Sequence, residues 1–488
     1  MPLVRPASAP PTRSWPCSRS AQDDRRSDGT LADVRVLQVI HDYLPLHAAG
    51  SEIYTASLCR ALSVAGHAVA VFTCEVDRAA PQWSLREREH EGVPVFEGIY
   101  NRIYADVSEH WDDPRMSAVF AEVLDRWRPD LVHVQGLQFV GGVSALRAAA
   151  ERGLPVVMTL HEYWWLCPRA GLMYDLTGRA CTVATPADCS RCVDVYPIDR
   201  RRWSDSRHGG RAAPGQGPDA PDAESQPASG AFAELGTRRW HARALVGRER
   251  ELGAARELVG RFIAPSRFLL ERFVAAGFPR ERMVAADYGF PPPAAPAARR
   301  APRTAGTPLR AGYVGTLSDY KGAEVFARAV ERVEDGVLAT IHGHLDWFPD
   351  VAARLEAITA RCACRLTLAG PFEPAQRDAV LASLDLLVVP SLWWENSPLT
   401  IHEAWQRGLP VLASERGGMA ELLGQGGGAT FPPGDDAALA ALLVRAAREP
   451  ALLASWAASI PPVRPIEADV RLLETLAREL GAAVARRT

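Results

Sequence analysis

The chain has 488 residues, of which 47% are hydrophobic and 23% charged, and its formal net charge is -3 at pH 7. This near-neutral balance excludes the strongly basic surface typical of proteins that bind nucleic acid or an anionic membrane through their overall charge. A chain of this length normally folds as two or three domains.

Two segments of the sequence bear on where the protein is found in the cell. Residues 1–33 are rich in Pro, Ser and Arg and lack the apolar core of a secretory signal, so they are predicted to be a disordered tail. The most apolar stretch, residues 437–460, is interrupted by Arg445, Arg448 and Glu449 and does not predict a membrane span. The sequence therefore predicts a soluble, cytoplasmic protein and leaves open peripheral contact with the inner face of the membrane.

Residues 34–290 alternate apolar runs of strand length with segments of helical period, a pattern that predicts βαβ units and a parallel sheet. A helix is predicted from Ser51 to a C-cap near Gly66. Residues 200–230, dominated by Arg, Gly, Pro, Ala and Ser, are predicted to form a mobile loop. The predicted strands are Arg35–Ile40, Ala68–Phe72, Leu131–Val134, Val156–Leu160 and Phe262–Ala264.

A second array of the same kind covers residues 309–462, after a Pro-rich linker at 291–308, and a helical period runs from Ile466 to Leu480 within the last segment, 463–488. Two doubly wound α/β domains of this kind leave a cleft between them. Ligands bind such sheets beyond the carboxyl ends of the strands. The predicted strands are Arg310–Val314, Val337–Ile341, Arg365–Ala369, Leu386–Val389 and Val411–Ala413.

The loop after the first of these strands runs Gly315-Thr-Leu-Ser-Asp-Tyr-Lys321-Gly322 and leads into a helix. Lys321 is the only lysine among 55 lysine and arginine residues. A position that has lysine where the rest of the chain uses arginine indicates a need for an ammonium group. The start of a helix favours phosphate oxygens, and Lys321 would add a point charge. The alternative is a solvated surface lysine.

Residues 388–413 are predicted to form strand, loop, helix and strand, with Glu395 in the loop and Glu403 in the helix. Pro398 suits the first helical turn. Carboxylates accept hydrogen bonds from vicinal hydroxyls, and the N–H groups of a helix start bind anions. A solvated helix charge is the alternative for each glutamate taken alone.

This segment, glutamate-x7-glutamate with Pro-Ser before it and Glu-Ala and Gly-x-Pro-Val after it, resembles glycosyltransferase family 4, the retaining enzymes of the GT-B fold. The resemblance runs from about Val34 to Leu423. It implies two Rossmann-like α/β domains with an interdomain cleft, and a C-terminal helix that crosses back to the first domain. It assigns Glu403 to the ribose hydroxyls, and it assigns to the donor sugar and phosphates Glu395 and the backbone around Asn396, Leu399 and Thr400.

The first half carries three weaker matches. The loop His-Ala-Ala-Gly50-Ser-Glu resembles the Gly-Gly-x-Glu loop of the family with Ala49 in place of one glycine, and Gly50 is predicted to approach the donor phosphates. His161, at the end of its strand, resembles the histidine of the Thr-x-His turn and is predicted to lie in the cleft, with a buried structural histidine as the alternative. The arginine that the family often has after Gly315 is missing, so Arg267 is the candidate second cation.

Four cysteines follow His161 within 26 residues, as C-x13-C-x7-C-x2-C: Cys167, Cys181, Cys189 and Cys192. Cytosolic thiols are kept reduced, and the final C-x2-C is a chelating half-site. A structural tetrahedral zinc is therefore predicted, with reduced or buried thiols and an iron–sulfur cluster as alternatives. Some family members carry a similar cysteine-bearing insertion.

The sequence thus predicts a retaining hexosyl- or related transferase of glycan or polysaccharide biosynthesis, with Lys321, Glu395 and His161 as catalytic residues. The resemblance implies a UDP-, GDP- or ADP-linked donor, an acceptor that the residues do not specify, and no divalent metal at the phosphates. A catalytically degenerate sugar-nucleotide-binding protein is one alternative, because Ala49 and the missing loop arginine depart from the family. A GT-B-fold isomerase is another, although an isomerase lacks the glutamate pair.

Overall fold

The computed structural model describes residues 34–101, 107–169, 171–174, 180–181, 185–193, 231–293, 304 and 306–482. They form two α/β domains, each built on one sheet of mainly parallel strands. The predicted tail 1–33 and the predicted loop 200–230 lie outside the described residues, as do residues 294–303 of the predicted linker.

The first domain holds an eight-stranded sheet in the order β3-β4-β2-β1-β5-β6-β7-β8. All neighbours are parallel except β3 and β4, which pair antiparallel at the edge. The strands are β1 (Arg35–Val39), β2 (Ala68–Glu75), β3 (Leu85–His90), β4 (Val93–Ile99), β5 (Leu131–Val134), β6 (Val156–Thr159), β7 (Arg261–Ala264) and β8 (Met283–Ala285).

Successive residues of a strand point to opposite faces of the sheet, and in this sheet both sets are apolar. Helices therefore cover both faces. Leu37 and Val39 of β1 belong to one buried cluster, and Val36 and Ile40 belong to another. The helices of this domain are α1 (Gly50–Val64), α2 (Pro114–Trp127), α3 (Val143–Glu151), α4 (Pro186–Val193), α5 (Ala231–Arg256) and α6 (Arg267–Ala275).

The second domain has six parallel strands in the order β11-β10-β9-β12-β13-β14. They are β9 (Leu309–Val314), β10 (Val337–His342), β11 (Leu366–Leu368), β12 (Leu386–Val389), β13 (Val411–Ser414) and β14 (Gly428–Phe431). The helices are α7 (Ala323–Arg332), α8 (Pro349–Arg361), α9 (Arg377–Ala382), α10 (Leu399–Trp405), α11 (Gly417–Leu423), α12 (Asp436–Arg448), α13 (Pro450–Ala458) and α14 (Glu467–Glu479).

The last helix, α14, packs against α1 of the first domain. The Tyr54 hydroxyl donates to Asp469 at 2.9 Å, and the His67 imidazole lies 3.0 Å from the Glu474 carboxylate, both in buried surroundings. The Gly289 N–H also donates to Asp469, at 2.7 Å. Helix α14 therefore completes the core of the first domain.

Each of the ten predicted strands overlaps an observed strand, and α1 begins at Gly50, one residue before its predicted start. Four strands were not predicted: β3, β4, β8 and β14. The predicted parallel sheets are confirmed, and the unpredicted edge strand β3 runs antiparallel to β4. Its sequence, Leu-Arg-Glu-Arg-Glu-His, has no apolar run because an edge strand leaves most of its side chains in water.

Pro398 was predicted to lie in the first helical turn but occupies the N-cap of α10, in the extended conformation. Among the described residues, no helix has both the length and the apolar character that crossing a membrane requires.

Candidate active site

Lys321 lies in a 3-10 turn, Asp319–Lys321, between β9 and α7. Its ammonium is 2.6 Å from Oε1 of Glu395, and the Ser391 hydroxyl donates to the same oxygen at 2.9 Å. The Glu395 side chain is 8% exposed and the Lys321 side chain 29%. Burial acts to lower the pKa of the Lys321 ammonium, but the Glu395 carboxylate outweighs it, so the pKa is raised and the lysine is charged at neutral pH.

Gly322 lets the loops that carry Lys321 and Glu395 approach closely enough for this contact. It has a left-handed backbone with φ of 74°, and a Cβ at this position would lie 2.0 Å from the carbonyl oxygen of Pro390. The loop after β9 therefore presses directly on the loop after β12, since only glycine fits both the conformation and the space. This close approach brings Lys321 to Glu395.

Glu403 lies in α10 and its carboxylate is 2.7 Å from the Arg377 guanidinium. Burial raises the pKa of Glu403, whereas Arg377 and Arg407 act to lower it. The side chain is 13% exposed, so the carboxylate keeps a small accessible face beside its cationic partners. The ion pair with Arg377 thus fixes the Glu403 carboxylate in place.

The starts of two helices face each other across the cleft. A Cβ built on Gly50, at the start of α1, would lie 3.5 Å from the Leu399 side chain at the start of α10. Neither helix has a side-chain cap at its N-cap residue, Ala49 or Pro398. Uncapped N–H groups and the positive ends of two helix dipoles favour an anion between them. Ala49 is extended, with φ of -85°, so alanine causes no strain there.

The backbone of His161 contacts the second domain, because the Asn396 side-chain amide donates to the His161 carbonyl at 2.5 Å. Both ring nitrogens are engaged: Nδ1 lies 2.7 Å from the Tyr288 hydroxyl and Nε2 lies 2.6 Å from the Gln135 side-chain oxygen. Burial lowers the pKa of His161 to about 3. The imidazole is therefore neutral, with Nε2–H donating to Gln135 and the Tyr288 hydroxyl donating to Nδ1.

The buried polar network continues inward from this histidine. The Gln135 amide donates to Gln38 at 2.9 Å and lies 3.2 Å from His133, whose other nitrogen is 2.9 Å from the Thr159 hydroxyl. These contacts fix the Gln135 side chain, which in turn fixes the His161 ring. The imidazole is thus neutral and fixed by contacts at both ring nitrogens, as in the structural alternative, and its catalytic role stays a prediction.

Gly315 and Arg267 are placed differently. Gly315 directly follows β9, on the same loop as Lys321, and its N–H donates to the His342 carbonyl at 3.1 Å. The backbone N–H of Arg267 donates to Glu421 at 3.0 Å, and Arg267 lines a cavity of about 270 Å³ with Pro461 and Val463. Within the described residues, no hydrogen bond or ion pair joins its guanidinium to Lys321 or Glu395, so the structure does not bring the predicted second cation to the lysine.

A pair of tryptophans before Glu395 was missed as part of the site. The Trp393 ring lies 5.2 Å from the Lys321 ammonium. The Trp394 ring stacks on Phe268 at 5.5 Å, with the guanidinium groups of Arg272 and Arg416 at 5.2 and 4.9 Å. The only signal in the sequence was the Trp-Trp dipeptide itself. These contacts fix the loop that carries Glu395.

Two groups of ligand-type side chains lie in the first domain. His41, Asp42 and Glu52 form the only set of three among the described residues whose ligand atoms all lie within 4.8 Å of one another. They sit at the end of β1 and the start of α1. The four predicted zinc ligands, all within the described chain as free thiols, do not form such a set.

Comparison with known proteins matches both domains. A family model described as "Glycosyl transferase 4-like domain" covers residues 49–191, and one described as "Glycosyl transferases group 1" covers residues 308–449. No curated protein matches the chain.

Three solved structures illustrate the similarity in fold. HepE from Anabaena, in complex with UDP and glucose, is 16% identical with a TM-score of 0.57, over 91% of this chain and 99% of that one. Sucrose-phosphate synthase from Thermosynechococcus elongatus is 17% identical with a TM-score of 0.60, over 92% and 99%. The catalytic domain of starch synthase IV from Arabidopsis thaliana, bound to ADP and acarbose, is 14% identical with a TM-score of 0.57, over 93% and 100%.

These identities support a shared fold, and the two family models support a shared activity. With a glycosyltransferase model matching each of its two parallel-sheet domains, this chain is a glycosyltransferase of the GT-B fold.

Proposed function

We propose that this glycosyltransferase transfers a sugar, with retention of anomeric configuration, from a nucleotide-diphosphate donor bound between the start of α1 and the Lys321–Glu395 pair. The observations that carry the proposal are the close approach of the two uncapped helix starts at Gly50 and Leu399 and the Lys321–Glu395 pair, whose glutamate lies in the loop that leads into α10. HepE was crystallised with UDP and with UDP-glucose, and starch synthase IV with ADP, which supports a donor of this class.

In this proposal, the bond between the anomeric carbon and the donor phosphate oxygen breaks, an acceptor hydroxyl oxygen bonds to the same carbon and passes its proton to the departing phosphate oxygen, and the leaving diphosphate gains negative charge. Lys321 and the N–H groups at the start of α10 stabilise that charge where it develops. Glu395 contacts and orients the Lys321 ammonium at 2.6 Å. The donor therefore takes over an ammonium that is already charged and oriented, and Glu395 is released toward the sugar.

Glu403 is proposed to accept hydrogen bonds from the ribose hydroxyls, with Arg377 holding its carboxylate in place. A donor whose ribose lacks the 2'-hydroxyl should then bind the wild type more weakly than the natural donor. Glu403→Ala should remove most of that difference in Kd. Equal discrimination in the wild type and the variant would contradict this role.

The proposal is tested first by screening UDP-, GDP- and ADP-sugars by thermal shift, since a ligand at 100 times its Kd adds about 2.7 kcal/mol of stability. With the donor found, Lys321→Ala should lose about 100-fold or more of the transfer or donor-hydrolysis rate, and Lys321→Arg should be partly impaired. Arg328→Ala is a matched control, because this side chain is 56% exposed on the helix that follows Lys321.

Wild-type rates in both Lys321 variants would overturn the assignment of the lysine. Donor binding without turnover against any acceptor, in a protein whose Lys321→Ala variant still loses binding, would instead favour a sugar-nucleotide-binding role.

A further inference from the structure

Asp287, which follows β8 in the first domain, contacts the chain that enters α10 in the second domain. Its Oδ1 accepts a hydrogen bond from the Ser397 hydroxyl at 2.6 Å. Ser397 directly precedes Pro398, the N-cap residue of α10, and is 4% exposed. A hydrogen bond to a carboxylate is stronger than one between neutral groups. The first domain therefore holds the residue at which the chain enters α10.

The His402 imidazole, in the first turn of α10, completes this contact. Its Nε2 lies 2.8 Å from the Ser397 oxygen and 3.4 Å from Oδ2 of Asp287, and the residue is 3% exposed. The Ser397 hydroxyl donates its one proton to the carboxylate, so His402 donates Nε2–H to the Ser397 oxygen. The three residues are not a nucleophilic triad, because the serine and the carboxylate share one ring nitrogen. Their geometry fits a positioning role.

The residues on either side of Asp287 are bonded within the first domain. The Ala286 N–H donates to the Ala264 carbonyl of β7 at 3.0 Å. The Tyr288 N–H donates to Oδ1 of Asp287 at 2.8 Å, and the Tyr288 hydroxyl lies 2.7 Å from Nδ1 of His161. The carboxylate is therefore a fixed point against which the chain entering α10 is set.

Two more hydrogen bonds join the same loop to the first domain. The Tyr163 hydroxyl donates to the Trp394 carbonyl at 2.7 Å, and the Asn396 amide donates to the His161 carbonyl at 2.5 Å. Contacts with the first domain thus lie on both sides of Glu395. The position of this loop depends on the first domain as well as on its own.

We propose that Asp287 is a positioning residue of the donor site, which sets the chain from Glu395 to α10 through its hydrogen bond with Ser397. The inference rests on the proposed function, in which this stretch supplies Glu395, which orients Lys321, and Glu403, which receives the ribose. Displacing such groups by about 1 Å can cost about 100-fold in rate. In this role Asp287 acts through its hydrogen bonds and not by contact with the donor.

The test compares Kd values of the full-length protein for UDP, GDP or ADP, whichever binds the wild type, measured by calorimetry. Asp287→Ala should bind this diphosphate about tenfold more weakly, because it loses a hydrogen bond to a charged group. Asp287→Asn keeps an oxygen that accepts from Ser397 and should stay within about threefold of the wild type. Asp125→Ala is the matched control, since this first-domain carboxylate is 64% exposed in its ion pair with Arg152 and its loss should leave the Kd unchanged.

A purely structural role of Asp287 would lower the fraction of folded protein but leave the Kd of the folded protein unchanged. Ser397→Ala provides a second measurement, which also serves if Asp287→Ala does not fold. It should weaken binding as much as Asp287→Ala, and the double variant should bind no worse than either single variant, because all three lack the same bond.

An unchanged Kd in Asp287→Ala or Ser397→Ala would overturn the inference, as would losses that add in the double variant or an Asp287→Asn protein as weak as Asp287→Ala. If Lys321→Ala loses diphosphate binding while Asp287→Ala binds like the wild type, the positioning role is removed and the proposed function stands. A wild type that binds none of the three diphosphates removes the proposed function and the inference with it.

Discussion

The contact between Lys321 and Glu395 predicts an asymmetry between two single substitutions. Lys321→Met leaves the Glu395 carboxylate, 8% exposed, with the Ser391 hydroxyl as its remaining hydrogen-bond partner among the described residues, whereas Glu395→Gln leaves an ammonium that is 29% exposed and can reach water. Breaking a fully buried ion pair costs about 3–5 kcal/mol, and exposed pairs contribute about 1 kcal/mol or less. With partial exposure, we expect about 2 kcal/mol for Lys321→Met and about 1 kcal/mol for Glu395→Gln.

The assay is denaturant unfolding of both single variants and the double variant, which gives the coupling free energy. We expect a coupling of about 1 kcal/mol or more at a separation of 2.6 Å. Arg445→Met is the control, because Arg445 and Glu449 form an ion pair that is 57% and 51% exposed, and this change should cost under about 0.5 kcal/mol. The reasoning fails if Lys321→Met costs no more than Arg445→Met, or if Glu395→Gln is the more destabilising change.

Two further predictions concern the backbone and pH. Gly322→Ala should be more destabilising than Gly408→Ala and should raise the donor KM: both glycines have left-handed φ, 74° and 64°, but only a Cβ at position 322 meets an atom, the Pro390 oxygen at 2.0 Å. Equal unfolding free energies in the two variants would contradict the close approach. His133, whose pKa burial lowers to about 3, stays neutral in the folded protein. The unfolded chain titrates near 6.5, so this stability is complete above that pH and is lost as pH falls toward 3. The penalty of His133→Gln relative to the wild type should therefore shrink between pH 8 and pH 5, by about 2 kcal/mol in unfolding free energy; a constant penalty would show that His133 does not titrate as proposed.

Much of the fold was accessible from the sequence because most strands are short, apolar and fully buried. Leu131–Val134 and Leu386–Val389 match the predicted ranges, since an apolar run flanked by polar residues marks a central parallel strand. The edge strand β3 and the short strands β8 and β14 could not be found this way. Their residues are charged or too few to produce a periodic signal.

The same limit applies to the candidate site: local motifs could be identified from the sequence, and long-range contacts could not. Lys321, Glu395 and Glu403 could be named because local motifs and the rarity of lysine mark them. Their partners could not be named, because Glu395 lies 74 positions from Lys321, and Arg377 lies 26 positions before Glu403 on another helix. Local patterns carry no information on such contacts. The assignment of Arg267 as the second phosphate cation stays a prediction, although the structure gives its backbone to Glu421 instead.

The docking of α14 on α1 has a consequence for synthesis of the protein. Tyr54 and Asp469, which hydrogen-bond in the finished molecule, are separated by 415 residues along the chain. At a translation rate of about 5–20 residues per second, the ribosome takes roughly 20–80 s to produce the second partner after the first. During that interval, the apolar surface around Tyr54 that α14 later covers is exposed on the nascent chain. A chaperone that recognises exposed apolar surface would therefore find its target in the first domain until the last helix is released.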